Sequence, residues 1–192
     1  MMSPAKEETN QALRAAVSLA DRRVYRRTFE GIFLELELPA EVKATLRGLG
    51  VDPDHLVEEY PLTAWQGTLS AIHADLAKTR GEDQAWRELG RRYLLGFVKT
   101  TVGAAVAGAS DELPTERMLA RFPRMLALAR EDIVCEVHCL AERDWQMTFH
   151  SPNPQPMFML GVVESLFFAR HVAVRVEVSD LGLDVFTLRM RW

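Results

Sequence analysis

Between residues 132 and 192, four runs of alternating apolar and polar residues flank one segment that is apolar almost throughout. In each run the apolar residues share one parity, which is typical of a strand with one buried face. Four such strands predict a single antiparallel sheet with one face exposed to water. The predicted buried face carries Ile133, Val137, Met147, Phe149, Val174, Val176, Phe186 and Leu188.

Two short polar segments between the runs predict hairpin turns. The first turn is expected near Glu142, because that position brings residues of equal parity opposite each other. The second is expected at Asp180-Leu181-Gly182, with Gly182 as the left-handed residue of a three-residue loop.

The segment between the hairpins, residues 155–170, is predicted to be a buried helix. Its apolar residues cover nearly the whole helix circumference, with Glu164, Ser165 and Arg170 as the polar exceptions. A helix of this kind is buried or spans a membrane, and this one is too short and too interrupted to span. It should lie between the sheet and a further layer of helices.

The preceding residues predict that helical layer. Helices are expected at 11–23, from Pro39, from Pro61, at 83–107 and at 113–130. A further short helix is expected within 24–37, where it follows an extended entry. Pro123 predicts a kink or break in the last of these. The small residues at 103–108 predict the tightest helix contact.

The predicted fold is therefore α+β, a helical amino-terminal part packed on a four-stranded antiparallel sheet formed by a carboxy-terminal ββαββ unit. We expect a disordered start at 1–10 and a single domain at 11–192, with helices at 11–131 and the ββαββ unit at 132–192.

Composition restricts the classes of function. A formal net charge of -4 gives no indication of nucleic-acid binding. Cys135 and Cys139, four residues apart on a strand, are about 13 Å apart and too distant for a disulfide. We interpret both as buried thiols in a reducing compartment. Residues 1–10 lack an apolar signal core, so we expect a cytoplasmic protein without a membrane span.

Catalytic and metal-binding patterns are not found. None of the five histidines forms the helical i, i+4 pair of a zinc site. Ser165 lies in the middle of a helix rather than in a glycine-flanked elbow, and no glycine loop suits a phosphate. We therefore predict no catalytic residue, no metal and no cofactor, and interpret the chain as not an enzyme.

A binding pocket is predicted in a wedge between the helices and the sheet. The predicted lining is Trp86, Tyr93, Phe97, Phe158 and Val162, with Arg92, Lys99 and Glu164 as the polar edge. Glu164 is expected either to pair with Arg92 or Lys99 or to face water. Tight packing of the same apolar residues is the alternative.

Several short motifs resemble a myxobacterial paralogous family of about 200 residues and unknown function. They are Leu46-Arg-Gly-Leu-Gly-Val-Asp52, Tyr60-Pro61 with Trp65, Arg87-Glu-Leu-Gly-Arg-Arg-Tyr93 with Gly96, and Gly161-Val-Val-Glu164. The resemblance covers residues 31–192. The chain departs from the family's pattern at Arg121-Phe-Pro-Arg-Met125, where the family often has an Asn-Tyr-rich segment.

More distantly, the order of helices and ββαββ is similar to vinyl-reductase-type ligand-binding domains, haem-based nitric-oxide sensors and TRAPP core subunits. That resemblance implies a hydrophobic pocket between helices and sheet. The haem sensors use a helical histidine and a Tyr-x-Ser-x-Arg motif, and this motif is absent here.

Two hypotheses of function follow. The first is a non-catalytic small-molecule-sensing or partner-binding regulatory module, with a small hydrophobic ligand. The second is a structural or scaffolding protein that oligomerises through apolar helices, with a protein partner or a second copy of the chain.

Overall fold

The computed structural model describes residues 22–111, 113–130 and 132–192. Its elements are, in order, β1 Arg23–Tyr25, α1 Arg26–Phe33, α2 Ala40–Gly48, β2 Glu59–Pro61, α3 Leu62–Arg80, α4 Glu82–Phe97, α5 Thr101–Asp111, α6 Thr115–Ala129, β3 Val134–Ala141, β4 Asp144–His150, α7 Pro156–Phe168, β5 Arg175–Leu181 and β6 Val185–Arg191. The predicted α+β class is confirmed. The predicted disordered start and almost all of the predicted helix at 11–23 lie outside the described residues.

The carboxy-terminal strands form an antiparallel sheet in the order β3-β4-β6-β5. Met147 lies opposite Val137 on one side and Leu188 on the other, so the predicted parity is confirmed. Phe149 and Phe186, also on the central strands, are fully buried and stack with ring centroids 4.9 Å apart. The edge strands and their entries cover this face less completely, and the half-buried residues there are Ile133, Val137, Val174 and Val176.

The turn predictions have mixed outcomes. The first hairpin turns between Ala141 and Asp144, as expected. In the second, the expectation for Gly182 is wrong, because the left-handed residue is Asp180, with φ of 50°. The strand register shifts at this position, so a bulge absorbs the extra residue, and aspartate tolerates the left-handed conformation.

Helix α7 lies between the sheet and α4, and most of its residues are buried. The two helix backbones approach closely at two glycines. A Cβ atom on Gly90 would lie 1.9 Å from the Phe158 carbonyl oxygen, and one on Gly161 would lie 2.0 Å from the Arg87 carbonyl oxygen. These distances are far below any van der Waals contact, so only glycine permits this approach.

A second close contact joins α4 to α1. A Cβ atom on Gly96 would lie 1.8 Å from the Gly31 carbonyl oxygen. The close contact predicted for residues 103–108 is found at Gly103, where a Cβ atom would lie 1.8 Å from the Phe97 carbonyl oxygen, and it is absent at Gly108. Phe97 belongs to the neighbouring helix end, and Gly108 has open space around its Cα.

The helix predicted at 83–107 is two helices, α4 and α5, separated at residues 98–100. Thr100 explains the break. Its hydroxyl donates to the Phe97 carbonyl oxygen at 2.7 Å and accepts from the Gly103 amide at 3.0 Å, which caps both helix ends. Pro123, in contrast, does not divide α6, which is one helix from Thr115 to Ala129.

Among the described residues, no helix combines the length and apolarity needed to cross a membrane.

Candidate functional site

An apolar cleft opens between α4, α5, α6 and α7. Its volume is about 780 Å³, counted up to the open solvent at its mouth. Aliphatic and aromatic side chains form most of its walls, among them Leu94, Phe97, Met118, Phe122, Val162 and Leu166. A concave apolar surface of this kind is typical of small-molecule sites.

The break after α4 places α5 over this cleft. Because Gly103 has no side chain, α5 can begin directly against the end of α4. Gly103, Val106 and Ala107 then face the cleft at helical spacing, whereas Ala105 is exposed. Helix α5 therefore forms one wall of the cleft with a single face of small residues.

The opposite wall comes from α6, through Met118, Phe122, Met125 and Leu126. The Phe122 ring also meets the Phe149 ring of the sheet edge-on, with centroids 6.3 Å apart. Helix α6 is therefore anchored to the sheet through Phe122.

Two residues bring polar groups to the cleft. The Tyr93 hydroxyl is buried and has no hydrogen-bond partner within the described structure, and burial raises the pKa of this phenol to about 12. It is therefore neutral at physiological pH. Arg170 is half-buried, and its Nη2 donates to the Leu113 carbonyl oxygen. No acidic residue is found among the described residues that line the cleft.

A second, smaller pocket lies on the other side of the Tyr93 ring. Trp65, Trp86 and Phe158 line it, together with the buried guanidinium of Arg130. Asp132 accepts two hydrogen bonds from Arg130, at 2.7 and 2.6 Å, and this guanidinium lies 5.3 Å from the Trp65 ring centroid. The Arg130 charge is thus already paired within the protein.

The apolar residues predicted to line one pocket are divided between these two. Tyr93, Phe97 and Val162 line the cleft, whereas Trp86 and Phe158 line the second pocket. The Tyr93 ring contacts the Phe158 ring, with centroids 5.6 Å apart, and so separates the two cavities.

The residues predicted as a polar edge lie outside the cleft. Glu164 is half-buried and accepts two hydrogen bonds of 2.6 Å from Arg87. It therefore neither pairs with Arg92 or Lys99 nor simply faces water, the two alternatives that were expected. Arg87 lies one turn before Gly90 on α4, and Glu164 lies one turn after Gly161 on α7, so the pair flanks the close approach of the two helices. Lys99 pairs with Glu35 instead.

Arg92 is held by Glu88, whose carboxylate accepts from it at 2.6 Å, and by the Glu35 carbonyl oxygen at 2.9 Å. Burial alone would raise the pKa of Glu88, but the guanidiniums of Arg91 and Arg92 outweigh it and lower this pKa to about 2. These charges hold α4 in place and do not reach the cleft.

The residues contributed by α6 and Arg170 were not predicted as site residues. The α6 apolar stripe is visible in the sequence, but nothing local shows that it faces α7 across a cleft. Arg170 appears in the sequence only as a polar exception at the end of the buried helix.

The helical layer and the ββαββ unit together form an α+β fold with an apolar cleft between α4, α5, α6 and α7. The chain belongs to the family described as protein of unknown function DUF2378, whose model matches residues 22–192. No match was found among curated proteins.

Solved structures of H-NOX domains share the fold. An oxygen-binding H-NOX domain related to soluble guanylate cyclases has a TM-score of 0.66 at 14% identity, over 85% of this chain and 90% of that chain. A double variant of Tt H-NOX has a TM-score of 0.68 at 15% identity, over 86% and 91%. A structure concerned with haem redox potential and porphyrin distortion has a TM-score of 0.65 at 15% identity, over 86% of this chain and 97% of that chain.

The residues of the cleft do not fit a haem iron. None of the described cleft residues is a histidine or cysteine. Tyr93 is the one described cleft residue that could ligate iron as a phenolate, and its burial disfavours that ionisation by raising its pKa to about 12. His73, a buried histidine of α3, stacks on Trp86 with ring centroids 4.1 Å apart, and its Nε2 lies 3.0 Å from the Glu82 carbonyl oxygen, away from the cleft.

A metal site is also not found in the part of the chain that the structure describes, where no three His, Cys, Asp or Glu side chains converge.

Proposed function

We propose that this chain is a non-catalytic small-molecule-sensing module that binds an apolar ligand in the cleft between α4, α5, α6 and α7. The observation that carries the proposal is the cleft itself, with its nearly continuous apolar walls and its position between the helical layer and the ββαββ unit. Burial of a ligand's apolar surface there supplies the binding free energy, at roughly 25 cal/mol per Å².

The likeness to H-NOX domains supports the proposal, because H-NOX domains of the same fold include an oxygen-binding one. The proposal also includes a distant similarity to vinyl-reductase-type domains and TRAPP subunits. It includes, too, the resemblance to a myxobacterial paralogous family. The ligand differs in chemistry from haem, since the described cleft residues include no histidine or cysteine and burial disfavours ionisation of Tyr93. It is an apolar organic molecule held by shape and burial.

The first experiment measures binding of the neutral fluorescent dye phenylnaphthylamine. Helix α5 offers a matched pair of variants: Ala107 faces the cleft and Ala105 is exposed on the same helix. Ala107→Phe places a ring in the cleft, whereas Ala105→Phe adds the same ring outside it. We expect saturable binding to the wild type and to Ala105→Phe, and at least a tenfold weaker affinity in Ala107→Phe.

Equal affinities of the two variants would place the dye elsewhere and remove the support for the cleft. Absence of dye binding to the wild type, together with a bare chain mass in native mass spectrometry, would refute the proposed function. A Soret band with the intensity of one ligated haem per chain, after expression with haem supplied, would refute the iron-free part of it.

Native mass spectrometry also counts subunits and so tests the scaffolding alternative. A stable oligomer without a retained ligand would favour that alternative. The expectation of two buried thiols is confirmed for Cys135 and wrong for Cys139, which is exposed. We further propose a reducing, cytoplasmic setting, in which both thiols stay free.

A further inference from the structure

We propose that the second pocket, on the Trp65 side of the Tyr93 ring, binds the carboxylate group of a small molecule. Two buried groups, the indole N–H of Trp65 and the guanidinium of Arg130, donate to the carboxylate oxygens. The Tyr93 ring separates this site from the apolar cleft, so the inference does not depend on the function proposed for that cleft.

The Trp65 indole gives the first indication of a ligand. Trp65 is fully buried and lines the pocket, yet its Nε1 has no hydrogen-bond partner within the described structure. A buried indole N–H normally has a partner, because leaving a buried donor unpaired costs free energy. The second pocket adjoins this ring, so an acceptor bound there supplies the missing partner.

Arg130 supplies the second donor. Its Nε and Nη2 donate to Asp132, and no hydrogen bond of its Nη1 is found among the described residues. The Arg130 side chain is about nine-tenths buried, and its guanidinium lies 5.3 Å from the Trp65 ring centroid. Asp132 therefore holds the guanidinium beside the indole and leaves one edge of it for a ligand, since a guanidinium has five N–H donors.

The two donors determine which chemical group suits this end of the pocket. Neither the indole nor the guanidinium accepts a hydrogen bond, so the ligand must present an acceptor. A carboxylate is favoured, because its hydrogen bond to a guanidinium is charge-assisted and roughly twice as strong as a neutral one. Arg130 would repel a cationic group, and an apolar group would leave both donors unpaired.

The size of the pocket limits the ligand to a small group. Its enclosed volume is about 30 Å³, which is room for about two water-sized groups, and it widens to about 460 Å³ when counted up to the open solvent. A cavity that accommodates benzene is much larger, at about 150 Å³. A carboxylate therefore fits the enclosed part, and the remainder of the ligand points towards the solvent.

The loop between β4 and α7 supplies polar groups nearer the solvent. Asn153 of this loop is exposed and Gln155 is half-buried, and both line the pocket together with the half-buried Gln66 of α3. The loop is fastened to the start of β6, because the Ser151 amide donates to the Asp184 carbonyl oxygen at 2.9 Å. The side-chain amides both donate and accept, so they suit a polar remainder of the ligand.

Nitrogen–proton NMR of the tryptophan indoles tests the proposal with acetate and with acetamide, which has the same shape but no charge. The chain has four tryptophans, and Trp65→Phe identifies the Trp65 signal. We expect acetate to saturate at millimolar concentration, as befits so small a ligand, and to move the Trp65 indole proton downfield. Trp145 and Trp192 lie outside the pocket and should respond little. Acetamide should bind at least tenfold more weakly.

Two variants test the donors separately. Arg130→Gln combined with Asp132→Asn removes both buried charges together and should abolish the preference for acetate. The control is Arg189→Gln combined with Asp144→Asn, which removes a similar bidentate pair on the sheet and should keep the preference. Trp65→Phe keeps an aromatic ring and removes the N–H, so the acetate affinity, read from the Trp86 indole, should fall about tenfold.

Thermal unfolding of each variant reports whether it is folded, and the Trp65→Phe result stands even if the paired variant of Arg130 and Asp132 does not fold. An unmoved Trp65 signal at acetate concentrations far above the millimolar range would overturn the proposal and leave water as the occupant of the pocket. Equal binding of acetate and acetamide to the wild type would overturn the carboxylate assignment, and an unchanged acetate affinity in Trp65→Phe would overturn the role of the indole. None of these outcomes bears on dye binding in the cleft.

Discussion

The glycine contact between α4 and α7 gives the sharpest test of the fold. In Gly90→Ala, the new methyl group would lie 1.9 Å from the Phe158 carbonyl oxygen, and ordinary contact begins at 3.4 Å. The helices would have to separate by about 1.5 Å, because the obstacle is backbone and cannot rotate away. Overpacking usually costs about 1–3 kcal/mol, and a backbone obstacle should bring the loss of unfolding free energy to about 3 kcal/mol or more.

For a domain of this size, such a loss lowers the melting temperature by about 6–12 °C. Urea unfolding, followed by circular dichroism and tryptophan fluorescence, measures it directly. The matched control is Gly108→Ala on α5, where a Cβ meets nothing within 4 Å. That variant should be stabilised by about 0.5–1 kcal/mol, because alanine favours a helix more than glycine does.

The reciprocal variant Gly161→Ala should show a loss similar to that of Gly90→Ala. The double variant should lose less than the sum of the two, since helices already separated by one methyl group partly accommodate the second. A Gly90→Ala protein as stable as the wild type would refute the close approach of the two backbones, and additive losses would refute its being a single contact.

Three further predictions concern buried groups. Asp132→Asn should cost about 3–5 kcal/mol of unfolding free energy in urea titration, because it leaves the buried Arg130 guanidinium without its counter-charge; a loss below 1 kcal/mol would contradict the buried pair. Glu88, with its pKa lowered to about 2, stabilises the fold above its ordinary pKa of 4.5 and loses that contribution as pH falls towards 2. Glu88→Gln should therefore flatten the stability profile between these values, and an unchanged slope would count against the proposed pairing. Burial raises the pKa of the Cys135 thiol to about 12, so Ellman's reagent should modify only the exposed Cys139 rapidly in the native protein and both thiols after unfolding; two fast thiols in the native state would show that Cys135 is accessible.

The sheet was predictable because its signal is local. The alternation that includes Met147 and Phe149 indicates which side chains share a face of the sheet. Short turns then leave few possible registers between neighbouring strands. The buried helix α7 was predictable for a similar reason, since an apolar residue on nearly every face leaves no side for water. Both signals need only a few consecutive residues.

The contacts between helices were not predictable in this way. Glu164 and Arg87 are 77 residues apart, and only the approach of two glycine-bearing backbones brings them together. From the sequence alone, Gly90 is only a residue with a low preference for helix. The run of small residues at 103–108 is a stronger indication of a close helix contact. Which glycine is used depends on how the layers stack, and this information is spread over the whole chain.

The same limit applies to the cleft. Tyr93 and Phe97 were identified as candidate lining because their helix was expected to lie in the helical layer beside the buried helix at 155–170. Trp86, two turns before Tyr93, belongs to another pocket, because the Tyr93 ring divides the space. The break at Thr100 then brings α5 over the cleft, which a continuous helix would not do.

The order of the strands has a consequence for synthesis of the protein. Strand β6 comes after all the other described strands in sequence, yet it lies in the interior of the sheet between β4 and β5. Until residues 185–191 have left the ribosome, β5 has no neighbour with which to pair, and the apolar face of α7 has only half of its sheet. The carboxy-terminal unit therefore cannot close progressively as it emerges, and it must wait for its innermost strand. Released chains that lack β6 would expose Val176, Val178 and the α7 surface together, which is the kind of species that chaperones bind.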